Sequence, residues 1–462
     1  MKRILWASML FLLLASPSAA YADIAPPMNP PGANPGPGSE TTQVRMMAET
    51  VLIEVLRNTP AGSLARALVT ADFTMRNLGT ESESMAARFP IGSNDGSGNY
   101  PEIRDLQVKV DGRTVGTRRT EGADPDYGGA TAPWAEFNVT FPPGEEVQVR
   151  VTYALDGSGE LAYASFYYLL ETGAGWKDTI GSTDLIVRLP YDASPYNIIL
   201  DDETGWSTTT PGGVISGREI RWHYVDLEPG REHNLEVSLV RPSYWLSVLT
   251  ERQNVTADPS DGEAWGRLGR DYKDVIVMRK GLREDAGGLE LYEMSVAAYE
   301  TALALLPEDA LWHAGFADLL ATHAYWTGWG SVDTRPEALR AMQEIQTALS
   351  LSPRDTKVQE IAEQIYYTFP DAIQPADGGY TFLWLTATPT ASASTVTPEA
   401  MPTPIATAVP PAASPVPPRS SPTPKAESDT GSNSPCGSAA MVVFPLALLV
   451  VSRGRQARAS KR

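Results

Sequence analysis

Apolar and polar residues alternate with a period of two from about Val44 to Arg241, and then the alternation stops. Val51, Ile53 and Val55 alternate, as do Ala67, Val69, Ala71, Phe73 and Met75, which gives each strand one apolar face. Leu106, Val108 and Val110 lead into Asp111-Gly112, a pair that tolerates the positive φ of a type I′ turn, and Arg113 begins the return strand. Phe137, Val139 and Phe141 reach Pro142-Pro143-Gly144, after which Val147, Val149, Val151 and Tyr153 alternate again. The same strand, turn and strand recur at Ile220, Trp222 and Tyr224, then Pro229-Gly230, then Leu235 and Val237. The recurrence predicts an all-β N-terminal part of two β-sandwiches, residues 41–157 and 160–243, each closed by this hairpin. One larger sandwich is the alternative.

After Asp258 the spacing turns helical. Trp265, Leu268, Gly269 and Tyr272 form W-x-x-L-G-x-x-Y, and Ser295, Tyr299, Ala302 and Pro307 continue the pattern. Capping-box spacings at Ser260/Glu263 and Thr334/Glu337 mark helix starts, and five helices are expected within residues 258–372. These residues resemble a tetratricopeptide repeat, although Pro259, Pro307 and Pro353 recur at 48 and 46 residues against about 34 in that family. The resemblance implies an all-α module in which Gly269 and Ala302 let helices approach while Trp265, Tyr272 and Tyr299 fill the seam. It also implies a groove that holds peptides or partner segments without catalysis.

The ends differ from this body. Lys2 and Arg3, the apolar run Ile4 to Ala15 and then Ala20-Tyr21-Ala22 form a secretory signal with cleavage after Ala22 (residues 1–22), followed by a Pro-rich leader, 23–40. Residues 386–435 are rich in Pro, Thr, Ser and Ala and read as a disordered stalk. Residues 436–462 combine Cys436, the apolar run Ala439 to Val451 and a basic tail. They resemble the tripartite sorting signals of bacterial surface proteins, which makes Cys436 the processing or lipid-attachment residue; a single-pass membrane segment with a cytoplasmic C-terminus is the alternative. Arg88-Phe89-Pro90-Ile91 and the run Tyr168 to Gly181 resemble segments of uncharacterised secreted bacterial proteins. The expected location is therefore the outer face of a bacterial cytoplasmic membrane or cell surface.

Composition narrows the chemistry. A net charge of −19 argues against nucleic acid as a partner, so none is expected. The lone cysteine leaves the folded part without a disulfide, and neither H-E-x-x-H nor G-x-S-x-G occurs. His223, His233, His313 and His323 lack metal-ligand spacing, so no metal, cofactor or catalytic residue is assigned. Binding candidates are the aromatic residues Trp312, Tyr325, Trp326 and Trp329, crowded on one helix and its following loop, and Trp134, Trp176 and Trp206 beside Gly-, Pro- and Thr-rich turns. The expectation is a cell-surface binding protein for a protein or peptide. An extracellular glycan-binding protein, or a hydrolase with an unassigned carboxylate site, is the alternative.

Overall fold

The computed structural model of the protein describes residues 34–37, 42–92, 102–123, 131–159, 162–199, 209–276, 286–327 and 335–386. Its strands before the first long helix are β1 (Val44–Val55), β2 (Arg66–Asn77), β3 (Glu83–Pro90), β4 (Arg104–Val110), β5 (Arg113–Val115), β6 (Arg118–Ala123) and β7 (Thr131–Phe141). They continue with β8 (Glu146–Asp156), β9 (Tyr163–Tyr168), β10 (Ile180–Arg188), β11 (Val214–Ser216), β12 (Glu219–Leu227) and β13 (Leu235–Val240). Asp111 and Gly112 take φ of 48° and 76° between β4 and β5, the turn that their residue types favour.

Eight strands form one mixed sheet in the order β11-β12-β10-β1-β2-β8-β4-β5, in which β1 and β10 pair in parallel. That pairing joins the two expected sandwiches into one sheet and corrects their separation. The expected closing hairpins are corrected as well. β7 lies in a three-stranded sheet with β3 and β6 while β8 lies in the large sheet; β12 lies in the large sheet while β13 pairs with β9. Each Pro-Gly turn thus carries the chain from one sheet to another. Pro142 and Pro143 have no N–H to offer a hairpin ladder, and alternation reports which side chains face inward but not which strand lies alongside.

The inward residues of the sheets meet in one core. Phe89 of β3 and Tyr153 of β8 have ring centroids 5.5 Å apart, and Phe141 of β7 meets Trp176 edge-on at 5.9 Å. Part of the Pro-rich N-terminal segment belongs to this packing. Asn34 is fully buried, its Nδ2 donates to the Leu170 carbonyl at 3.1 Å, and Gly36 exchanges backbone hydrogen bonds with Arg88.

Helices follow directly from β13: α1 (Pro242–Ala257), α2 (Gly262–Ile276), α3 (Ala286–Leu305), α4 (Ala310–Thr327), α5 (Arg335–Leu351), α6 (Thr356–Thr368) and the short α7 (Leu383–Thr386). A hairpin, β14 (Ile373–Ala376) with β15 (Gly379–Phe382), lies between the last two. This arrangement corrects the all-α tetratricopeptide-like module. α1 precedes the repeat pattern, a β-hairpin closes the helices, and their buried residues form one cluster with those of the sheets. The decisive side chain is Trp265. It is only half-buried and turns back over the start of its own helix, where Nε1 donates to the Pro259 carbonyl at 3.0 Å. The place against α2 is taken by Trp312 of α4, whose ring lies so close to Gly266 that a Cβ there would come within 2.3 Å of it.

Among the described residues no helix is long and apolar enough to cross a membrane, so the expected transmembrane helix is not met in the described fold. Ala22, the stalk, the run 439–451 and Cys436 lie outside the described residues.

Candidate functional site

α1 begins at Pro242, whose missing N–H is harmless in a first turn, and Arg241 before it ties the start to the body by donating from Nε to the Leu64 carbonyl at 2.8 Å. Pro242, Trp245, Val248 and Val255 are buried. Leu249, Arg252, Gln253, Thr256 and Ala257 recur at helical spacing on another face, which carries an open depression of about 390 Å³.

Arg252 is the most constrained side chain of that depression. Its guanidinium carbon lies 5.4 Å from the Trp245 ring centroid and 5.3 Å from that of Tyr272. Its Nε donates to the Tyr272 hydroxyl oxygen at 2.7 Å, and Nη2 reaches the Met294 sulfur at 3.7 Å. No described carboxylate lies within 4.0 Å of it. Nearby polar groups are otherwise paired: Arg267 with Glu251 at 3.0 Å, and Ser247 with Asp271 at 2.6 Å. The Tyr196 hydroxyl donates to the Glu290 carboxylate at 2.5 Å, which together with burial holds the phenol above its ordinary range, while the charge of Arg252 draws it down.

Of the aromatic candidates named from the sequence, the described ones lie on several elements, and Tyr325 and Trp326 meet each other. Trp134 is half-buried on β7, with its indole over Gly122. Trp176 is 5% exposed and donates from Nε1 to the Pro35 carbonyl, so it covers the core. Trp312 packs between Gly266 and Tyr299. Tyr325 and Trp326 meet edge-to-face at 5.5 Å near the end of α4. Trp206 and Trp329 lie outside the described residues. Arg252 is not among the residues expected from the sequence, although Trp245, Val248, Leu249, Arg252 and Val255 carry a helical repeat that starts at Pro242.

At three other places in the described fold, ionisable groups are shifted by burial or by a partner. His323 on α4 stacks on Tyr292 at 3.6 Å and faces both Glu337 oxygens at 3.0 Å; burial pushes its imidazole down to about 4 and the Glu337 carboxyl up to about 7. Burial works against the Lys273 ammonium, but Asp318 at 2.6 Å more than restores it. Glu49 on β1 is fully buried, and burial pushes its carboxyl up to about 8 although Tyr168 and Asn34 hydrogen bond to it. Among the described residues no group of three His, Cys, Asp or Glu side chains is placed to hold a metal ion.

No family model matches the chain, and no curated protein matches it. Among solved structures it is similar to a provisionally named nutrient binding protein of Legionella pneumophila, at 17% identity over 69% of this chain and 98% of that one, with a TM-score of 0.39. An M1 zinc metallopeptidase variant of Deinococcus radiodurans is 11% identical over 43% of this chain and 42% of that one, with a TM-score of 0.25. An aminopeptidase N family protein of Idiomarina loihiensis is 12% identical over 41% and 29%, with a TM-score of 0.21.

Proposed function

We propose that this chain is an exported bacterial binding protein that holds a protein or peptide segment against the exposed face of α1. The observation that supports the reading is the fixed aromatic and cationic frame of that face. Trp245 and Tyr272 hold Arg252 in one orientation beside Leu249, Gln253, Thr256 and Ala257, so little side-chain freedom is lost when a ligand binds. The depression is shallow and open, which suits a segment laid across it better than a small molecule enclosed in it. Its lining contains no pair of groups placed for acid–base work, and the sequence contains neither H-E-x-x-H nor G-x-S-x-G.

Export follows from the charged, apolar and small-residue parts of residues 1–22. The test is retention of a randomised decapeptide library on the immobilised full chain. A saturable retained fraction, whose members compete for one site, is expected; the absence of saturable retention overturns the reading.

A further inference from the structure

We propose that Arg252 anchors a carboxylate on the bound peptide, an inference that rests on the peptide-binding reading above. The guanidinium has one edge already engaged, Nε by the Tyr272 hydroxyl and Nη2 by the weakly accepting Met294 sulfur. The end formed by Nη1 and Nη2 keeps donors in the fork geometry that matches a carboxylate.

The shortage of a partner is local. The chain has 56 Asp and Glu against 37 Lys and Arg, and other arginines on the helices take carboxylates: Arg267 takes Glu251 at 3.0 Å and Arg340 takes Glu300 at 2.7 Å. Arg252 is half-buried between two rings and has no described carboxylate within 4.0 Å, so the complementary charge comes from outside.

Two features select a carboxylate over a phosphate. One guanidinium neutralises one charge, and an acidic body repels a dianion more strongly than a monoanion. Leu249 and Ala257, beside Arg252 in the depression, suit an apolar residue next to the acidic group.

The test uses the same decapeptide library on the immobilised full chain, synthesised once with free C-terminal acids and once as amides. Wild type is compared with Arg252→Gln and with Gln253→Glu. The second substitution adds a negative charge at an exposed position and leaves the packing of the guanidinium intact, and its melting curve confirms the fold. The retained pool is expected to be enriched in carboxylate-bearing peptides, and each substitution lowers retention about tenfold or more. Loss of enrichment in the amide form identifies the chain terminus as the source of the carboxylate. Enrichment in Asp and Glu that survives amidation identifies a side chain. Peptides retained without carboxylate preference and unaffected by either substitution overturn the inference but leave the binding reading standing. No retained peptide overturns both.

Discussion

The Arg252 Nε donates to the Tyr272 hydroxyl oxygen at 2.7 Å while the guanidinium carbon stays 5.3 Å from the centroid of the same ring. One residue of the repeat-like pattern on α2 therefore does two things: its ring fills the core and its polar tip fixes a charge at the surface. Tyr272→Phe keeps the packing and removes the hydrogen bond, so denaturant unfolding should show a loss of about 0.5 to 1.5 kcal/mol. Tyr272→Ala removes a side chain that is 4% exposed and should cost about 3 to 5 kcal/mol. Peptide retention should fall in the phenylalanine variant, because the guanidinium is no longer held in place.

Glu49 predicts an inverse dependence of stability on pH. Its ordinary value is 4.5 and its folded value about 8, so between these the folded chain keeps a proton that the unfolded chain has lost. Raising the pH through that window favours unfolding by about 1.4 kcal/mol per unit, and the effect is complete above the folded value. Burial accounts for the bound proton and outweighs the Tyr168 hydroxyl, which donates to Glu49 Oε1 at 3.0 Å and draws the carboxyl down. Chemical denaturation from pH 5 to pH 9 should show the decline in wild type and a flatter profile in Glu49→Gln, with the variant the more stable at pH 9.

The contact between Gly266 and Trp312 predicts a reversal of the usual effect of alanine in a helix. Gly→Ala in a helix interior ordinarily stabilises by about 1 kcal/mol. At Gly266 the new Cβ would lie 2.3 to 2.8 Å from three atoms of the Trp312 ring, so Gly266→Ala should destabilise, by about 1 to 3 kcal/mol. Trp265→Ala should cost clearly less than Trp312→Ala in the same melts, because Trp265 folds back toward the Pro259 carbonyl while Trp312 packs against Gly266 in the seam.

Strand faces were legible because alternation is local. Val51, Ile53, Val69, Phe73, Val149 and Val151 all point inward as their spacing requires. Strand partners were not, since the parallel register of Val51 with Leu185 joins residues far apart in sequence and leaves no local mark. The β7 to β8 and β12 to β13 connections read as hairpins for the same reason. In the helices the W-x-x-L-G-x-x-Y spacing placed α2 correctly but named the wrong seam residue. Trp265 and Trp312 are equally apolar, and only the tertiary contact at Gly266 tells them apart. Arg252 carries no local mark in the sequence, because its setting between the Trp245 and Tyr272 rings is made by tertiary contact.

Hydrogen exchange of the full chain with and without its retained decapeptides tests the binding face most directly. Slower amide exchange confined to residues 245–257 and the adjoining start of α3 is the predicted result. Slowing at the end of α4 beside Tyr325 and Trp326, or on the outer face of the eight-stranded sheet, with α1 unchanged, would contradict it.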